Sequence, residues 1–263
     1  MLAKVEIGLS YVDAHLHLAD PMFKGHVEEA IDDAKENNVS CLLSNATDYN
    51  TSLETIALAK HHSPQVFAAI GVHPWTASNT TSYELDKFEK LVDENKECVK
   101  AIGEIGLDGK YTQDELAKTR QREVFRFFLE LAAQKKLPVV IHSRQAVNEV
   151  LGILPDFDLR KVLLHWYDGP IEALPSIRSR GYLISFGPAL LYSRRIARIA
   201  ANADLGMILT ETDAPVKYPG PFEGRKTQPS FVVEVARKLA DINKVNIEAV
   251  RNSVWNNFDE FTD

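Results

Sequence analysis

Cysteine is scarce in this chain: Cys41 and Cys98 are the only two among 263 residues. A disulfide framework is excluded, both residues read as small core side chains, and a reducing, cytoplasmic setting is the expectation. Long apolar runs are missing too, so no membrane span is expected. The first apolar stretch, Met1 to Ile7, is broken by Glu6 and does not read as a secretory signal. Positive charge is in deficit, with 30 Lys and Arg against 37 Asp and Glu and a formal charge of −7. That balance argues against a protein that coats nucleic acid with a basic surface. It leaves room for an enzyme whose bound cations supply positive charge locally. Linkers, low-complexity segments and short repeats are lacking, so residues 1–263 read as one domain, with no obligate protein partner indicated.

Hydrophobic residues make up 45% of the chain, ample material for a core. They fall into eight short runs rich in Val, Ile and Leu: Leu9–His17, Val39–Ala46, Val66–His73, Val99–Gly106, Pro138–His142, Lys161–His165, Tyr182–Phe186 and Met207–Asp213. Most lack polar alternation, as strands of a parallel sheet buried on both faces do. Helical patterns lie between them, at Val27–Asn37, Gln113–Lys136, Ser193–Ala203, Phe231–Ala240 and Ile247–Asn256. Alternation of this kind over this length predicts an α/β protein, a (β/α)₈ TIM barrel. An open doubly wound sheet is the alternative. It should carry a glycine-rich phosphate loop after the first strand, and this strand ends in His-Leu-His-Leu instead.

Five of the eight histidines fall near the C-terminal end of a predicted strand: His15, His17, His73, His142 and His165. Glu104 and Asp213 occupy equivalent places. The C-terminal face is where barrel enzymes build their active sites. Ionisable groups in apolar strands are costly unless paired or bound to metal, and neutral imidazole is a good transition-metal ligand. Independent core histidines would not align with one end of the barrel, so these residues read as a metal cluster. His26, His61 and His62 sit at helix ends and read as surface residues.

In this order, Asp13-Ala-His-Leu-His, Gly71-Val-His-Pro, Gly103-Glu-Ile-Gly-Leu-Asp, Ile141-His-Ser-Arg, Leu164-His and Glu211-Thr-Asp-Ala-Pro resemble the TatD family of metal-dependent deoxyribonucleases, within the amidohydrolase superfamily. The likeness covers essentially the whole chain. It implies that His15, His17, Glu104 and Asp213 serve one metal, and that Glu104, His142 and His165 serve a second, with Glu104 bridging. It also implies that His73 contacts substrate phosphate. Three departures fall where substrate would lie. Gln145 replaces an Asp, Trp166-Tyr167-Asp168 replaces Cys-Phe-Ser or Cys-Phe-Thr, and Glu223 to Pro229 replaces an Arg-Gly-Lys stretch.

The chemistry expected is hydrolysis of DNA phosphodiesters, exonucleolytic on single strands, with a water activated between two divalent ions. Asp213 would take that water's proton and return it to the leaving oxygen, and Glu104 would hold both ions. Four histidines with two carboxylates favour Zn²⁺, Mn²⁺ or Ni²⁺ over Mg²⁺, and the resemblance nevertheless implies Mg²⁺. Arg144 would pair with phosphate. Arg225 and Lys226, with Arg194, Arg195 and Lys217, would form a basic rim that guides the strand. Trp75, Trp166 and Tyr167 follow strand ends, where they either pack within their loops, the more common role, or stack on a base. Glu211 reads as a support one layer deeper than Asp213. Two other classes stay open: a small-molecule hydrolase of phosphotriesters, lactones or amides, and a non-catalytic metal-binding scaffold.

Overall fold

The computed structural model describes residues 10–112 and 114–263. Leu9, the start of the first predicted strand, and Gln113, the start of the longest predicted helix, lie outside them. Among the described residues the eight strands are β1 Tyr11–Leu16, β2 Val39–Asn45, β3 Val66–Ile70, β4 Val99–Gly106, β5 Val139–His142, β6 Val162–Leu164, β7 Leu183–Phe186 and β8 Ile208–Thr210. They pair in parallel in sequence order, β1 to β8, each to the next. Helices α1 Val27–Glu36, α2 Tyr49–His61, α3 Ser82–Asp93, α4 Glu115–Lys135, α5 Val147–Ile153, α6 Leu174–Ser179, α7 Arg194–Ala200, α8 Phe231–Asn243 and α9 Ile247–Thr262 alternate with them. This is a (β/α)₈ barrel. Strand residues such as Ala68, Ile70, Ile102 and Val140 are fully buried, because both faces of each strand are covered.

Several expected strands stop short of the site residues they were drawn to include. β3 ends at Ile70 and β8 at Thr210, so His73 and Asp213 lie on the loops that follow. Asp213 has φ +49°, a left-handed conformation that ends extended backbone and that Asp tolerates better than most residues. Helix α2 has no clear apolar stripe in the sequence because half its buried face is polar: Ser52 and Thr55 beside Ile56 and Ala59. Its start is set by a capping box in which Asp48 and Thr51 satisfy each other's backbone N–H groups. Thr81 and Glu84 start α3 in the same way.

Two irregularities position the site. Between Asp13 and Leu16, which pair with Leu42 and Ser44, β1 carries one extra residue. Between Ile102 and Ile105, which pair with Val139 and Ile141, β4 does the same. Such bulges turn side chains out of strict alternation, and His15 and Glu104 sit inside them. The seam between β8 and β1 closes through the site's own backbone. Asp213 N–H donates to the His15 carbonyl at 2.8 Å, and His17 N–H to the Ala214 carbonyl at 2.8 Å. The fully buried Asp13 carboxylate staples that seam by accepting from Thr212 N–H at 2.9 Å and Thr212 Oγ1 at 2.5 Å.

Candidate metal centre

Glu104, almost fully buried, is the shared element of the site, because its two carboxylate oxygens face different groups. Oε2 lies 3.4 Å from both His15 Nε2 and His17 Nε2. Oε1 lies 2.8 Å from His165 Nε2, 2.9 Å from His142 Nδ1 and 3.3 Å from His73 Nε2. Asp213 completes the first group, with Oδ1 3.1 Å from His17 Nε2 and 3.5 Å from His15 Nε2. All six residues expected as ligands therefore converge at the C-terminal mouth of the barrel.

The hydrogen bonds on the far side of each ring decide what the near side can do. His17 Nδ1 donates to the Asn45 carbonyl at 2.9 Å, so the hydrogen of the neutral ring is on Nδ1. Its Nε2 lone pair then points at Asp213, Glu104 and, 3.2 Å away, His15 Nε2. His142 Nε2 donates to Asp108 Oδ2 at 2.9 Å, which leaves the Nδ1 lone pair facing Glu104. Lone pairs aimed at carboxylates repel unless a cation lies between them, and a carboxylate partner behind the ring is the usual way a ligating imidazole is oriented. His15 Nδ1 and His165 Nδ1 are buried without a hydrogen-bond partner among the described residues, as is Glu211 Oε1. The two rings stack with centroids 3.9 Å apart. Glu211 Oε2 accepts from Ser185 Oγ at 2.5 Å and lies 3.7 Å from His165 Nδ1. The donor set thus fits divalent cations on both sides of Glu104.

His73 is different. Its Nδ1 accepts from the Trp75 backbone N–H at 3.1 Å, so the ring's hydrogen is on Nε2, which points at Glu104. It is built as a donor to an oxygen, not as a lone-pair ligand, although its position is close to His142.

Protons stand in for cations in the free site. Burial alone would lower the His17 pKa, but the Asp213 hydrogen bond and the Glu104 and Asp213 charges raise it from 6.5 to about 9. His165 is raised well above the ordinary value in the same way, against burial, by Glu104 and Glu211. His142 is raised, again against burial, by Asp108 and Glu104. Burial favours the neutral form of Glu104, yet the surrounding imidazoles hold it well below the carboxylate range. Asp213 is depressed likewise, against burial, by His15 and His17. His73 moves down, because burial outweighs its acidic neighbour.

Sequence reasoning missed two carboxylates, although both lie inside the motifs that stood out. Asp13 staples the seam, and burial raises its pKa well above normal. Asp108 organises one wall of the site: Oδ1 accepts the backbone N–H groups of Lys110 and Tyr111 at 2.8 and 2.7 Å. Its Oδ2 accepts His142 Nε2 at 2.9 Å and Trp75 Nε1 at 2.8 Å. The glycines around them are steric necessities. Gly106 has φ +141°, and a Cβ there would sit 2.0 Å from the His142 carbonyl oxygen.

A cavity of about 730 Å³ opens above the cluster. His17, His73, Glu104, His142, His165 and Asp213 form part of its lining, and Arg144 and Lys217 bring positive charge to its wall. Arg225 and Lys226, expected on a basic rim, are not among the residues that line it. Their loop is exposed, and the Arg225 guanidinium is drawn away onto the Phe231 ring, 4.4 Å from its centroid. Arg195 is likewise engaged, with Asp168 at 2.8 Å. Tyr167 cannot stack on a base: it is fully buried, with its hydroxyl donating to the Pro170 carbonyl at 2.7 Å. Trp75 and Trp166 do line the cavity. His26 and His61 are exposed as expected, whereas the His62 ring is largely packed, 3.4 Å from Glu28.

A parallel barrel whose strand ends gather paired imidazoles around a shared carboxylate defines a metal-dependent hydrolase. The model of the TatD-related DNase family matches residues 12–263, and the chain belongs to that family. It is 31% identical over 253 residues to the uncharacterized metal-dependent hydrolase MJ1582 of Methanocaldococcus jannaschii, covering 96% of this chain and 97% of that protein. It is 29% identical over 252 residues to human deoxyribonuclease TATDN3, covering 92% and 91%. Among solved structures, the TatD homolog YjjV of Escherichia coli superposes with a TM-score of 0.89 at 25% identity, covering 96% of this chain and 97% of that one. The phosphotriesterase homology protein of Escherichia coli shares the fold, with a TM-score of 0.67 at 14% identity.

Proposed function

We propose that this protein, acting as one domain, hydrolyses phosphodiester bonds of DNA, exonucleolytically and with single strands or strand ends as substrate. The observation that carries the proposal is the division of Glu104 between two imidazole groups, Oε2 toward His15 and His17 and Oε1 toward His142 and His165. His15, His17, Glu104 and Asp213 would hold one divalent ion, and Glu104, His142 and His165 a second. Mg²⁺, Mn²⁺ or Zn²⁺ at such positions supplies charge to phosphodiester oxygens and lowers the pKa of water. Asp213, an anion at the mouth of the cavity, accepts the proton of the attacking water and returns it to the leaving oxygen. His73 Nε2–H donates to a phosphate oxygen, and Arg144 pairs with phosphate from the cavity wall. Human TATDN3, named a deoxyribonuclease, supports the choice of substrate. The reading includes a cytoplasmic setting, which the two free, buried cysteines support.

The test is a screen with single strands labelled at the 3′ or the 5′ end, in Mg²⁺, Mn²⁺ and Zn²⁺. Stepwise shortening from one end is expected. Lactone or amide hydrolysis with no DNA cleavage in any metal would move the assignment to a small-molecule hydrolase.

A further inference from the structure

Two large aromatic side chains stand half exposed in the cavity wall: Trp75 at 54% and Tyr111 at 56%. Neither is loose. The indole N–H of Trp75 is committed to Asp108, 2.8 Å away, and its ring meets His73 edge-on at 4.7 Å and Tyr111 edge-on at 5.2 Å. Tyr111 is pinned through its own backbone N–H to the same carboxylate. The Arg144 guanidinium lies 5.3 Å from the Tyr111 ring centroid, which sets a cation beside the aromatic surface. Asp108 also holds His142, so this wall and the metal centre share one anchor.

Apolar rings held in place at the edge of a highly charged site are suited to a flat, apolar group carried on an anionic chain. Held rings lose little conformational freedom when something stacks on them. With its N–H already used, Trp75 offers a π-face rather than a hydrogen-bond donor, so it suits every base about equally. We infer that Trp75 and Tyr111 form a stacking platform for the nucleobase next to the scissile phosphate, with Arg144 taking the neighbouring phosphate. The inference rests on the nuclease reading and adds that recognition of the strand goes through base faces and is tolerant of sequence.

Calorimetric titration with two phosphorothioate-linked tetranucleotides tests this, in Mg²⁺ or Mn²⁺. One carries thymine bases and the other abasic sugars, so their charge is equal. The parent should bind the thymine strand about tenfold or more tightly, the scale of stacking on an aromatic side chain. Trp75→Ala should bring the two affinities within about twofold, and Trp75→Phe should keep most of the preference because a ring remains. Tyr111→Ala, at an equally exposed site, supplies the second reading if Trp75→Ala loses the fold. Affinities in the parent that are equal for the two strands, or absent for both, overturn the inference, as does a preference that survives both alanine variants. Cleavage of the natural tetranucleotide is followed in parallel. Base-dependent binding without cleavage contradicts the nuclease reading alone, and cleavage without base dependence contradicts the platform alone.

Discussion

Asp108→Asn preserves the shape of the side chain and changes the hydrogens it meets. Asp108 accepts four N–H donors, two from backbone at Oδ1 and two from His142 and Trp75 at Oδ2. An asparagine has one acceptor oxygen. The backbone donors of Lys110 and Tyr111 are fixed, so the amide oxygen turns toward them and its NH₂ faces His142 Nε2 and Trp75 Nε1. His142 relieves the conflict by becoming an acceptor at Nε2, which puts its hydrogen on Nδ1, the atom 2.9 Å from Glu104. A nitrogen bearing that hydrogen is no longer a ligand. Hydrogen bonds to a charged partner contribute about 1.5–3 kcal/mol each, so losing two with partial relaxation should cost about 3 kcal/mol. For a chain of this size that is roughly a 6–12 °C fall in Tm. Disturbing the partner behind a ligating imidazole lowers metal affinity about 10- to 100-fold, and the effect should fall on the second ion alone. Chelator competition should therefore show one ion weakened and one retained, with the fold intact by circular dichroism. Unchanged affinity for both ions, with unchanged Tm, would refute the tautomer argument.

Further expectations follow from the same geometry. In chelator, the imidazolium of His17 contributes stability that is fully present below pH 6.5 and is lost as pH rises through about 9. The depressed carboxylates Glu104 and Asp213 contribute above their ordinary values of 4.5 and 3.8, and that part is lost as pH falls. The His17 part of metal-free stability should thus be full up to about pH 6.5 and decline toward pH 9, and saturating metal should reduce that decline; an alkaline decline equally steep with and without metal contradicts the proton account. Asp213→Asn should keep the fold and at least one ion yet lose nearly all turnover, because an amide oxygen can face a metal but cannot take a proton; parent-like rates at saturating metal would remove Asp213 as the base. Arg144→Ala should weaken single-strand cleavage far more than Arg225→Ala with Lys226→Ala, since only Arg144 lines the cavity. A larger loss in the double variant would restore the loop as the strand's guide.

Much of the site was legible in the sequence because its chemistry is written at strand ends. His15, Glu104 and His142 lie within strands that are otherwise mostly apolar, so each appears as a polar group in a buried run. The supports were harder to read. Asp13 and Asp108 act in part through hydrogen bonds from Thr212, Trp75 and His142, partners 33 to 199 residues away. No local spacing records those contacts. The place of Arg225, off the cavity wall, was hidden for a similar reason. The loop after β8 starts at the active face, but the sequence does not show that Phe231 at the start of α8 offers the guanidinium a ring. Trp166 has φ +42° and Gln145 φ +53°, two positions that need left-handed backbone. Nothing in an isolated sequence marks that need. Helix α2 was obscured because Ser52 and Thr55 replace apolar residues on its buried face.

The claim on which the rest depends is that one carboxylate, Glu104, serves two cations. Elemental analysis of metal-reconstituted protein after gel filtration, on the parent and on Glu104→Ala, tests it directly. Two divalent ions per chain are expected in the parent. In Glu104→Ala no more than one should survive, held by His15, His17 and Asp213, with none on His142 and His165. A parent that binds no more than one ion, or a Glu104→Ala variant that still retains two, would contradict the account.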